Sequence, residues 1–319
     1  MHPNKILLDW KSLPQAYINR HLSNETLKRN KLSVLDTMDN YLNNKFISSN
    51  KVNKRKYKYD IYIISLRRSN RLDNLDNLYN LYKPYKKFDG IDGLSSDFNY
   101  KDHKYNFNIE PNHFGHAGCS LSHLYLAEKL AKSKKDFFVI FEDDSVFFNF
   151  SDDVLKNIIS NIDNEMDIIY LSSRCSEKIY ASADFIQNKW CNFPDKQIYT
   201  MAEVAKIMSD NKINLPKSKL NRPYTLNGND GYILTKKGAS KLLKFLNSQS
   251  YKHKPFGAGH NIDTIFTKMS LSTKTNYFNY KDNNLINTSA ILKSYISRFP
   301  VSGIAQHFGI NTKSDIQNK

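Results

Sequence analysis

An α/β fold with a mostly parallel central sheet is predicted by three observations. Phe137-Phe138-Val139-Ile140-Phe141 is an unbroken apolar run, the pattern of a strand buried on both faces. Segments of strand and helix periodicity alternate on either side of it, which implies right-handed crossovers. The run ends in Glu142, Asp143 and Asp144, which cannot share its burial because an unpaired buried carboxylate is costly. These acids must emerge at the carboxyl edge of the sheet, where open α/β sheets bind ligands. Adjacent acids repel one another unless a cation sits among them, and hard divalent ions favour carboxylate oxygen. A solvated turn after a strand is the competing reading of the same three residues.

The first strand of the core is Tyr59–Leu66, followed by Arg67, Arg68 and Arg71. Leu72, Leu75 and Leu78 recur at helical spacing and predict a helix over 70–81. Arginines where a strand runs into a helix suit a diphosphate, since guanidinium binds phosphate bidentately and helix starts offer N–H groups. A basic, solvated turn is the plainer alternative. Lys87–Gly93 reads as a second short strand ending at Asp-Gly, where an aspartate can accept from a base or ribose. Residues 94–114 read as irregular. A helix is expected from about Phe114 to Ser133, with His123 on the face of Leu126, Ala127 and Leu130, so it points inward. Such a histidine is more often a satisfied core group than a ligand, here one beside the site.

After the acids come a helix over 152–162, a buried strand over 166–172, and a polar stretch from Arg174 to Asn229 with a short helix at 201–208. A stretch that long in a compact domain is usually a lid, a binding surface or disorder. A strand at 229–235 leads through Thr235, an N-cap, into a helix over 236–246. A helix over 261–269 carries Asp263 near its start, a strand is expected at 277–280, and the tail 303–315 is rich in polar groups.

Bulk composition narrows the function. The 319 residues carry +16, which invites a nucleic-acid reading. Residues 1–58 hold 12 Lys and Arg against four acids, a net +8, so half the excess sits on a segment that reads as a short helical, basic extension. No zinc finger, RNP motif or continuous basic helix supports nucleic-acid binding, and a positive surface suits an anionic small substrate equally well. No apolar run approaches the roughly 18–20 residues of a membrane span. The N-terminus lacks signal-peptide design, so a cytoplasmic location is expected. Cys119, Cys175 and Cys191 form no C-x-x-C pair and suggest no zinc; Cys175 and Cys191 remain able to pair under oxidising conditions.

Six stretches then resemble one family in its own order: IISLRRSNR from Ile63, GIDG at 90–93, GCSLSH at 118–123, VIFEDD at 139–144, GYILTKKGA from Gly231, and Ile262-Asp263. The chain resembles glycosyltransferase family 25, which includes lipooligosaccharide and procollagen galactosyltransferases, and with the abundance of Asn, Lys, Ile and Tyr that AT-rich codons give it looks like a giant-virus member. The resemblance spans roughly 59–315 and implies a Rossmann-like GT-A domain over 59–319. It implies a UDP-sugar donor, a divalent ion (typically Mn²⁺), inversion at the anomeric carbon, and a glycan or collagen-like protein as acceptor. By that analogy Glu142 and Asp144 reach the metal, or the ribose and the metal, with Asp143 turned aside or bonded to the sugar. His307 is the implied third ligand. Ser65, Arg68, Arg71 and Asp92 would line the nucleotide, with His123 close by. Asp263 is the first choice of catalytic base and Asp230 the second. Ser65, His116 and Thr264 stand where the family usually has Asn, Glu and an acid, departures that bear on donor sugar and acceptor. A non-catalytic descendant of the same fold is the main rival reading.

Overall fold

The computed structural model describes residues 56–69, 85–105, 108–109, 114–147, 151–171, 198–200, 229, 231–247, 255–256, 261–270, 291–297 and 301–304. The helices expected over 70–81 and 201–208, the strand expected at 277–280, nearly all of the 1–58 extension, and Cys175 and Cys191 lie outside those residues.

A seven-stranded sheet organises the described residues. Its strands are β1 (Tyr59–Ser65), β2 (Tyr85–Asp89), β4 (Phe137–Glu142), β6 (Ile168–Tyr170), β7 (Ile198–Thr200), β8 (Gly231–Thr235) and β10 (Ser294–Ser297), in the order β2-β1-β4-β8-β6-β10-β7. β1, β2, β4, β6 and β10 run one way, while β8 and β7 run against them. The mixed α/β, Rossmann-like expectation therefore stands, with β8 inserted antiparallel between β4 and β6. Hydrophobic periodicity marks a strand without stating its direction, so that insertion was invisible in the sequence.

β4 sits between β1 and β8 and all five residues Phe137–Phe141 are buried. Its rings pack on neighbours: Phe138 lies 4.7 Å from Tyr62, and Phe137 stacks on Tyr59 at 5.0 Å, centroid to centroid. Fully burying one such side chain stabilises by about 1.5–3 kcal/mol. β2 by contrast is largely exposed and carries Lys86 and Lys87, the charged dressing that keeps an edge strand from pairing further.

Helix α1 (Phe114–Lys132) follows the short strand β3 (Asn108–Ile109), and α2 (Ser151–Ser160) follows β5 (Ser145–Phe147). α1 is buried over most of its circumference, because α3 (Lys236–Leu246) and α4 (Ile262–Ser270) both pack against it. Thr235 caps α3 as expected: its hydroxyl accepts from the Gly238 N–H at 3.1 Å and donates to the Met166 carbonyl at 2.9 Å. Thr235 thereby ties the helix start to the segment leading into β6 as well.

β3, β5, β7, β9 (Pro255–Phe256), β10 and β11 (Ser302–Ile304) are additions to the sequence expectation. Each has two to four residues, too few to show a period, and exists because a partner strand supplies its hydrogen bonds. β11 pairs antiparallel with β5, so residues 302–304 return beside the acidic turn. Among the described residues no helix is long and apolar enough to cross a membrane.

Candidate functional site

Because β1, β2 and β4 are parallel, their carboxyl ends share one edge of the sheet, and short contacts stitch the turns there together. The Asp143 N–H donates to the Ile64 carbonyl at 3.1 Å, and the Gly90 N–H to that of Ser65 at 2.8 Å. The loop after β2 is pressed onto the start of α1: a Cβ on Gly93 would meet the Phe114 carbonyl oxygen at 1.8 Å, and one on Gly118 would meet the Ile91 carbonyl oxygen at 2.4 Å. Only glycine allows that approach. Ser122 Oγ locks it by accepting from the Ile91 N–H and donating to the Gly118 carbonyl, both at 2.8 Å. What remains between these loops is an open cleft, with Ser65, Arg68, Asp92, Cys119, His123 and all three consecutive acids in its wall.

The three acids have three different surroundings. Asp143 turns inward, 4% exposed, and its Oδ2 accepts from Ser65 Oγ at 2.8 Å. Ser65 is itself buried, so the serine expected to line the nucleotide and the aspartate expected to turn aside or bond the sugar hold one another. Glu142 keeps 27% of its side chain exposed, with Oε1 3.2 Å from His123 Nε2. The other nitrogen of His123, Nδ1, lies 2.8 Å from the Tyr232 hydroxyl. His123 is 1% exposed, the inward, satisfied histidine that its helical face implied, yet it touches the acid cluster. Asp144 is half-buried at the cleft wall.

Arg68 grips Asp92 with a fork: Nε and a terminal nitrogen meet the two carboxylate oxygens, the latter contact at 3.0 Å. Backbone N–H groups add to it, Leu94 donating at 3.0 Å. The Arg68 guanidinium first, with those N–H groups, holds the Asp92 carboxyl below the usual range despite its partial burial. Arg67 faces away, 85% exposed and paired with Asp89, so the basic turn divides into one solvated arginine and one in the cleft.

Asp263 sits in the first turn of α4, whose start is anchored by the Ile262 N–H donating to Ser120 Oγ at 3.0 Å. Its carboxylate reaches the same neighbourhood as the acid cluster. Burial first, then the charges of Glu142, Asp263 and Asp144, push the Cys119 thiol well above its ordinary range. Burial and the same Glu142 charge do likewise to the Tyr232 hydroxyl.

Cys119 is the residue that sequence reasoning missed. Its sulfur, a His123 nitrogen and a Glu142 oxygen lie within 4.8 Å of one another. The signal was available in the i, i+4 spacing of Cys119 and His123 on a helix, but cysteine spacing alone pointed away from metal. Of the expected site residues, the structure brings Ser65, Arg68, Asp92, His123, Glu142, Asp143 and Asp144 to one cleft and Asp263 close to it. Arg71, Asp230 and His307 lie outside the described residues.

The arrangement provides carboxylates at a sheet edge and an arginine beside them, all in the wall of one open cleft. No curated protein sequence is significantly similar to the chain. The family model described as "Glycosyltransferase family 25 (LPS biosynthesis protein)" matches residues 58–266, a stretch that includes the whole cleft wall and runs past Asp263. With more than half of its length matched, this chain belongs to glycosyltransferase family 25.

Proposed function

We propose that this glycosyltransferase is a metal-dependent, inverting hexosyltransferase that moves a sugar from a UDP-sugar to a hydroxyl of a glycan or of hydroxylysine in a collagen-like protein. The observation that carries the reading is the placement of Glu142 and Asp144 on the wall of one cleft with Arg68 and Asp92. Their oxygens, with Asp143 diverted to Ser65, are the hard donor set that suits Mn²⁺ or a similar divalent ion. Such an ion, when bound, neutralises the charge that grows on the departing diphosphate.

The chain's own residues would do the rest. Glu142 and Asp144 hold the cation, with His307 as the expected third ligand. Arg68, oriented by Asp92, faces phosphate charge, and Asp92 lies in reach of the nucleoside. Asp263 accepts the proton of the acceptor hydroxyl as that oxygen attacks the anomeric carbon from the side opposite the diphosphate, which inverts the centre. The closed turns around Gly93 and Gly118 keep the cleft wall in place, so that binding does not first have to order it.

UDP release from a panel of UDP-sugars, with and without Mn²⁺, tests the reading. Metal-dependent release with one sugar, lost in Asp144→Ala, supports it. Turnover undiminished by that substitution, or no release with any donor, removes it.

A further inference from the structure

Three side chains in the cleft make a donor set of another character from the paired acids. Cys119 and His123 stand one helical turn apart on α1, so one rigid element presents a sulfur and a nitrogen together. Glu142, at the end of β4, adds an oxygen, and the three ligand atoms lie within 4.8 Å of one another. His123 Nε2 and Glu142 Oε1 are 3.2 Å apart, close to the roughly 3.3 Å between two ligands on a tetrahedral zinc with bonds of about 2.0–2.1 Å. His123 Nδ1 is engaged by the Tyr232 hydroxyl at 2.8 Å, the outer hydrogen bond that orients metal-binding imidazoles. All three side chains face the cleft, which leaves a further coordination position for water or substrate. A thiolate makes the set soft, so it favours zinc over manganese, the reverse of an all-oxygen site.

We infer that Cys119, His123 and Glu142 form a binding site for a soft divalent ion of the zinc class. Binding releases the Cys119 thiol proton to solvent and keeps His123 as the tautomer whose Nδ1–H donates to the Tyr232 oxygen. Glu142 belongs both to this set and to the hard site proposed above, so zinc held here withdraws it from the donor's cation. Occupancy itself requires neither donor nor turnover, and its failure is separate from failure of the transferase reading.

The test is a titration of the full chain, stripped of metal, with Co²⁺ and then Zn²⁺. One equivalent of Co²⁺ is expected to give a thiolate-to-cobalt charge-transfer band that zinc removes. The band persists in the Cys175→Ser/Cys191→Ser double variant and vanishes in Cys119→Ser. Glu142→Gln, at a partly exposed position, keeps the band and weakens zinc binding about 10-fold or more, and reports on the site even if Cys119→Ser does not fold. Absence of the band in the unsubstituted chain, its survival in Cys119→Ser, its loss in the Cys175/Cys191 variant, or unchanged zinc affinity in Glu142→Gln overturns the assignment.

Discussion

Ser65 Oγ donates a 2.8 Å hydrogen bond to Asp143 Oδ2 across 78 residues of chain, joining the end of β1 to the acidic turn after β4. Of the three consecutive acids at this sheet edge, the middle one is buried with a hydroxyl donor on it, while Glu142 and Asp144 stay partly exposed at the cleft wall. Removing the hydroxyl leaves a buried carboxylate short of a partner, which costs about 1–3 kcal/mol. Ser65→Ala is therefore expected to lower the urea midpoint by that equivalent, and an unchanged midpoint would mean that the bond contributes nothing.

Tyr232 and His123 carry a second such link, since the Tyr232 hydroxyl is the partner of Nδ1 on an imidazole with almost no exposure. Tyr232→Phe keeps the ring packing against Phe266 but leaves that nitrogen unsatisfied. A loss of about 1–3 kcal/mol is expected, read as a lower melting temperature, together with weaker Mn²⁺ binding at the cation site proposed for Glu142. Equal stability in the phenylalanine variant contradicts this role.

Gly118→Ala sets two effects against each other. Alanine favours a helix over glycine by about 1 kcal/mol, yet its Cβ would sit 2.4 Å from the Ile91 carbonyl oxygen and 2.5 Å from the Gly93 nitrogen. Both are backbone atoms, so the loop carrying Asp92 must move, and overpacking of this kind costs about 1–3 kcal/mol. The clash is expected to win: lower stability and a raised KM for the donor, measured in the same preparation. A stabilised variant would show that the loop yields easily.

Asp263→Asn keeps the shape of the first turn of α4 and removes the carboxylate proposed as the base. General-base contributions run to about 10²–10⁴-fold, so kcat should fall within that range with KM little changed. A KM effect alone would point to binding, and no effect would shift the role to Asp230.

The pH dependence of stability has one clear contributor away from the site. Glu128 accepts from Lys132 at 2.6 Å and from Lys104 at 2.9 Å, and these lysines hold its carboxyl down at about 2 instead of 4.5. A depressed folded-state value stabilises above the unfolded value and is lost as pH falls through the folded one. The stability gap between the unsubstituted chain and Glu128→Gln should thus be full above about pH 4.5 and close on descent toward pH 2. Denaturation curves along that interval check it, and a gap independent of pH refutes the charge as its source.

Much of this protein was legible in its residues one segment at a time. The apolar run Phe137–Phe141 required a buried strand, because five such side chains have no stable place in water. The acids behind it pointed to an edge, because an unpaired carboxylate is costly inside; Glu142 and Asp144 stay partly exposed there, while Asp143 turns in where Ser65 donates to it. Thr235 announced its cap, and the face shared by His123 and Leu126 announced an inward histidine. β6 showed through the apolar run around it, whereas β3, β5, β7, β9, β10 and β11 were silent, because segments of two to four residues have no period of their own and are created by their partners.

What the chain alone determined is which groups must be buried and which must reach an edge, since transfer free energy is a property of each side chain in its local run. Tertiary structure decided which of those groups meet. That β8 enters antiparallel, that Asp143 spends its charge on Ser65, and that Cys119 joins His123 and Glu142 all depend on approaches between distant segments, set by packing and by backbone contacts such as Gly93 against Phe114. No local pattern encodes a distance across dozens of residues, so the chemistry of the cleft became readable only once the sheet had brought its edges together.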